Sequence, residues 1–168
     1  MVKQIGIDGI YVIHAKQGYE IHEDHVNTLF KKHRLEHTFM TDGDPSLFND
    51  TLLNTYFTPT IKDKLSIGVL SCTLNHILSY EAALKNKNRF ALIFENDPFF
   101  LGDFVRDITR IIEEAKTLEP GFIISLENTS LRFPKYKTIK RNKHLYPATQ
   151  GRCAGAYLID SKGIENIL

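Results

Sequence analysis

Phe90-Ala91-Leu92-Ile93-Phe94-Glu95-Asn96-Asp97-Pro98 is the stretch that decides the fold. Five consecutive apolar residues, closed by a polar turn and a proline, predict a short strand rather than a helix. No polar residue interrupts the run, so both of its faces are buried, as in a sheet with helices packed on each side. Upstream, Ser66 is placed to cap a helix, with Leu70, Leu74, Ile77, Leu78 and Ala82 on one face. That helix fades at Lys85-Asn86-Lys87-Asn88. Downstream, Asp103 is placed to cap a second helix, with Phe104, Ile108, Ile111, Ile112 and Ala115 facing inward. Pro120-Gly121 ends it, and residues 122–126 predict the next strand.

The same alternation extends to both ends. Residues 9–13 are short, β-branched and aromatic, and predict a buried strand. Residues 23–34 carry Val26, Leu29 and Phe30 at helical spacing, and residues 37–40 predict a strand running into Thr41-Asp42-Gly43-Asp44-Pro45. Residues 46–65 have no clean period and predict a loop with at most a short helix. A basic stretch over 132–144 precedes a strand at 155–159 and a short final helix with Ser161 as its cap. Strands alternating with helices predict an α/β fold with a mostly parallel sheet, in a single domain over residues 1–168.

Composition narrows the function. Hydrophobic residues make up 42% and charged residues 24%, and the net charge is +1, which argues against nucleic acid as the main partner. Cys72 and Cys153 are far apart and form no Cys-x-x-Cys pair, so both are expected to be small buried hydrophobes. The seven histidines are scattered along the chain, and no zinc site is expected. No stretch is apolar for long enough to span a bilayer, and residues 1–9 lack the apolar core of a secretory signal. A cytoplasmic location is therefore expected.

Glu95 and Asp97 carry the chemistry. Ligands of open α/β sheets bind at the carboxyl ends of the strands, where these residues stand. Two residues apart in extended backbone, they point the same way and make half of a hard-cation site suited to Mg2+ or Mn2+. Such a cation completes its shell with water and phosphate oxygens, so the pair suits a nucleoside diphosphate. Acidic clusters after strands also serve as helix caps or as solvated loop residues. The lysines and arginines of residues 132–144 read either as a solvated loop or as an attraction to diphosphate, glycolipid phosphate or an anionic membrane surface.

Gly68-Val69-Leu70-Ser71-Cys72-Thr73-Leu74-Asn75-His76 resembles a segment of glycosyltransferase family 25 that reads Gly-Glu-hydrophobic-Gly-Cys, then two residues and Ser-His. Glu95-Asn96-Asp97 stands where the family usually has Glu-Asp-Asp. Gly155-Ala156-Tyr157-Leu158-Ile159-Asp160-Ser161-Lys162-Gly163 resembles its Gly-x-Ala-Tyr-hydrophobic-Ile-Ser-x-x-Gly region. Tyr11-Val12-Ile13-His14 sits where the family has a strand ending in Asn-Leu, and Asp42-Gly43 falls on its Asp-Gly turn.

The resemblance implies a GT-A-like, Rossmann-type fold and sugar transfer with inversion from a UDP-sugar, often UDP-galactose, to a lipopolysaccharide or other surface-glycan acceptor. It implies a divalent metal, Mn2+ or Mg2+, with Asp97 as direct ligand and Glu95 binding metal or ribose. Asp42 would lie near the nucleotide and His76 would face the donor cleft. A peripheral contact with the inner membrane face is the further expected partner. Asn96, Asn75 and Val69 depart from the motifs, and Ala15-Lys16-Gln17-Gly18 replaces an arginine-rich segment. Family members continue beyond the equivalent of Leu168, so an acceptor-side part is expected to be missing. No residue is read as the catalytic base beyond Glu127, for which a solvated loop position is the alternative. The competing reading is a truncated, non-catalytic domain that binds nucleotide weakly or serves as a protein partner.

Overall fold

The computed structural model describes residues 5–127, 134–148 and 153–168. Strands β1 (Gly9–Ile13), β2 (Thr38–Met40), β3 (Phe90–Phe94), β4 (Ile123–Ser125) and β5 (Ala156–Asp160) form one sheet in the order β2-β1-β3-β5-β4. β1 pairs in parallel with β2 and β3, whereas β5 runs antiparallel to both β3 and β4. Four of the five strands therefore point the same way. Among the described residues of the β4–β5 connection, the regular element is a 3-10 turn, Tyr136–Thr138.

Six helices complete the fold: α1 (Glu20–Lys32), α2 (Asp50–Tyr56), α3 (Pro59–Lys64), α4 (Ile67–Lys85), α5 (Phe104–Ala115) and α6 (Ser161–Ile167). β3 is buried at all five positions and sends alternate side chains to opposite faces. Phe90, Leu92 and Phe94 join Ile10, Val12 and Leu158 against Val26 and Phe30 of α1 and Ile108 and Ile112 of α5. Ala91 and Ile93 join Tyr11, Ile13 and Ile159 against Tyr80 and Ala83 of α4 and Ile164 of α6. The sheet thus lies between two helical layers.

The caps at Ser66 and Asp103 form as expected, accepting from Val69 N (3.4 Å) and Arg106 N (3.2 Å). The last cap differs. Asp160 rather than Ser161 caps α6, accepting from Gly163 N at 2.9 Å, and it also takes Gly121 N and Phe122 N at 2.9 Å each. One carboxylate therefore joins the end of β5 to the approach to β4.

Over residues 46–65, where a loop with a short helix was expected, two short helices form, α2 and α3. Their signals are local. Asn49 caps α2 by accepting from Leu52 N (2.9 Å), and Pro59 occupies the first turn of α3. These helices cover Leu70 and Leu74 on the outer side of α4. Cys153 is likewise corrected. It is exposed, at φ 70°, while Cys72 is half-buried.

Leu92 is fully buried in the central strand. Leu92→Ala is expected to cost about 2–5 kcal/mol of stability. Urea unfolding checks this: the midpoint should fall with the slope unchanged.

Candidate functional site

A cleft of about 440 Å³ opens at the carboxyl ends of β1 and β3. Its walls are the loops after β1 and β2, the first turns of α4 and the segment Glu95 to Asp97. Helix α4 is latched to this end of the sheet by polar side chains. Ser71 Oγ donates to Gly43 O (2.7 Å), and Gly43 N donates to Asn75 Oδ1 (2.8 Å). A Cβ on residue 43 would lie 2.7 Å from Asn75 Oδ1, so glycine is required by close approach. Asp44, also buried, accepts from Lys16 N (2.9 Å) and from Ser46 N (2.9 Å), joining the two loops that border the cleft.

His14 follows β1 and lines the cleft, although its side chain is only 1% exposed as a residue. Asn96 Nδ2 lies 3.2 Å from its Nδ1, which suits donation by the amide to an unprotonated Nδ1. Its Nε2 faces Glu23 Oε2 at 3.3 Å. Burial pushes the His14 pKa down, against the opposing pull of Glu23.

A second polar group lies behind the cleft. Cys72 and His76, four residues apart, project from one face of α4 toward Glu95 at the end of β3. Cys72 Sγ and His76 Nε2 each stand 3.9 Å from Glu95 Oε1. The His76 ring holds the Glu95 carboxyl below its usual range, more than offsetting burial. Burial, with help from Glu95, pushes the Cys72 thiol up. On its other side, His76 Nδ1 lies 2.8 Å from Tyr157 Oη, which lies 2.7 Å from Tyr80 Oη. Burial pushes the Tyr157 phenol far up, so it stays protonated.

The expected site residues separate as follows. Glu95 and Asp97 both line the cleft, with Asp97 exposed and Glu95 half-buried. Asp42 sits exposed on the turn, and Asp44 lines the cleft in its neighbourhood. His76 does not line this cleft. It faces Glu95 from behind and borders a separate groove with Tyr56 and Tyr80. Glu127 accepts from Gly155 N (2.9 Å) and is outside the cleft lining. Tyr157 is buried, as expected. In the basic stretch, Arg132 and Phe133 lie outside the described residues, and Lys135, Lys137, Lys140, Arg141 and Lys143 are exposed.

His14, Asn75 and Asp44 were not singled out from the sequence. Their roles arise from contacts made across 28 to 82 residues of chain. Cys72 and His76 stand four residues apart in the sequence, a spacing the sequence reading did not use, and the sheet brings the third member, Glu95.

The profile of glycosyltransferase family 25 (LPS biosynthesis protein) matches residues 8–168. The chain belongs to this family. It is also 29% identical over 149 residues to a Haemophilus influenzae protein described as "Putative glycosyltransferase". That match covers 86% of this chain and 51% of the relative, so the chain spans about half the relative's length. The α/β architecture, with four of five strands aligned and helices on both faces, is the GT-A-like, Rossmann-type arrangement expected.

In this family 25 domain, Asn96 and His14 form a matched pair. A carboxylate at position 96 could only accept, which favours a protonated Nδ1. Asn96→Asp is therefore expected to raise the His14 pKa, measured by NMR titration of the ring. The linkage sign follows. His14 and His37, the latter half-buried against Phe30 and Phe39, have folded-state pKa values below the ordinary 6.5. Their contribution to stability is full above that value and is lost as pH falls through the folded values. Thermal melts should drop as pH falls below about 6.5, and Asn96→Asp should lessen the drop. An unchanged His14 titration would contradict the pairing.

Proposed function

We propose that this domain binds a UDP-sugar and serves sugar transfer, with inversion, to a lipopolysaccharide or other surface-glycan acceptor. Galactose is the first candidate sugar. The observation that carries the reading is the placement of Asp97 on one wall of the cleft and the first turn of α4, at Gly68, on another. The amino end of a helix favours phosphate through its unpaired N–H groups and dipole.

The residues fit a divalent cation that arrives with a diphosphate. No hydrogen bond or ion pair engages the Asp97 carboxylate among the described residues, and Mg2+ commonly takes only one or two protein carboxylates. Asp97 would hold it, with Glu95 as the second candidate ligand or as a ribose acceptor. When bound, such a cation neutralises charge on the departing diphosphate. Tyr19, at the rim and 46% exposed, offers a ring face for the uracil. The acceptor hydroxyl, giving up its proton to a base, attacks the anomeric carbon from the face opposite the diphosphate, forming the new C–O bond as the old one breaks. Phe99 and Leu101, 81% and 86% exposed just beyond Asp97, and the lysines of residues 135–143 suit a peripheral membrane or glycolipid contact.

The test is calorimetry with UDP and Mn2+, followed by UDP-sugar turnover. Asp97→Ala should weaken Mn2+-dependent UDP binding about tenfold or more, a loss of at least about 1.4 kcal/mol. Unchanged affinity and turnover would remove Asp97 from the cation site.

A further inference from the structure

We propose a second, soft-cation site formed by Cys72, His76 and Glu95, suited to Zn2+. Their ligand atoms all lie within 4.8 Å of one another, and they are the group of this kind among the described residues. A tetrahedral zinc with N, O and S ligands at about 2.0–2.3 Å has ligand–ligand edges of roughly 3.3–3.6 Å. The Cys72–Glu95 and His76–Glu95 separations are both 3.9 Å, slightly longer than such an edge. The Cys72 contact is a thiol hydrogen bond to Glu95 Oε1, whereas the His76 separation is too long for an N–H···O hydrogen bond.

The surroundings of His76 support the assignment independently. Its Nε2 is buried with no hydrogen-bond partner. A buried ring nitrogen left so is costly unless something engages it. For Nε2 to offer a lone pair, Nδ1 must carry the ring proton. Tyr157 Oη stands 2.8 Å away to accept it and passes its own hydrogen to Tyr80 Oη at 2.7 Å. Metal-bound histidines are typically oriented by such a partner on the other nitrogen. Cys72 and Glu95 also line the cleft, so a fourth ligand position would face it.

Binding is balanced by release of the Cys72 thiol proton to solvent as the thiolate joins the metal. Occupied, the site ties the middle of α4 to the end of β3. It also draws on the carboxylate that the donor-site reading places beside Asp97, so a soft and a hard cation would compete for Glu95.

The experiment uses the full chain, stripped with chelator and titrated with Co2+ as a spectroscopic stand-in for Zn2+. The expected result is one equivalent bound, with tetrahedral visible bands and a thiolate-to-cobalt charge-transfer band, displaced by Zn2+. Cys72→Ser should abolish the charge-transfer band, and Cys153→Ser should leave it. Tyr157→Phe should weaken binding by about 10–100-fold. Asp97→Asn should leave the spectrum unchanged, which separates this site from the donor site: either can fail while the other stands. Absence of the charge-transfer band in the unmodified chain, or its loss in Cys153→Ser but not Cys72→Ser, would overturn the proposal.

Discussion

Everything at the functional end of this molecule depends on how β3 is held. Its backbone pairs with β1 on one side and β5 on the other, with Leu92 opposite both Ile10 and Leu158. A slip of one residue would turn Leu92 and Phe94 from one core to the other, exchanging bulky for small side chains throughout. The register therefore fixes where the chain emerges from the sheet. Glu95 N donates to Gly155 O (2.8 Å), extending the pairing by one residue before the turn. Glu95 thereby faces α4, Asn96 meets His14, and Asp97 stands exposed at the cleft wall.

Helix α4 is the second constraint, and it is amphipathic in an unusual sense. Leu70 and Leu74 pack outward under α2 and α3. Ser71, Asn75, Ser79 and Ala83 are buried on other sides of the same helix. Small polar side chains allow close approach and let the helix form hydrogen bonds to the turn after β2. Asn75 stands where relatives of this family have serine, yet its longer amide reaches Gly43 N. Asn96 stands where they have a carboxylate, and it supplies a donor that His14 can use. Two departures that read as losses in the motifs are thus built into the contacts of this chain.

The strands, the long helices and two of their caps were legible because they rest on local signals: continuous apolar runs, helical spacing and a capping residue at the right offset. The position of Glu95 and Asp97 at the strand end followed directly. Residues 46–65 read as a loop with a short helix rather than as two helices because only caps and a proline mark α2 and α3, with no clean hydrophobic period. The reversal at β5 is a property of strand pairing across the sheet, which no local motif records. The exposed Cys153 shows that residue type alone does not set burial. The partners of His14, Asn75 and His76 come from distant segments, and only the assembled sheet brings them together.

The central claim is that the donor and its cation meet at the carboxyl ends of β1 and β3. Paramagnetic broadening tests it most directly. In the 15N-labelled chain, Mn2+ added with UDP should selectively broaden the amide signals of Asn96, Asp97, Ala15, Lys16 and Gly68. Mn2+ without UDP should do so more weakly. Broadening centred instead on the groove around Tyr56, Ile77 and Glu81, or spread evenly over the exposed acidic residues, would contradict the account.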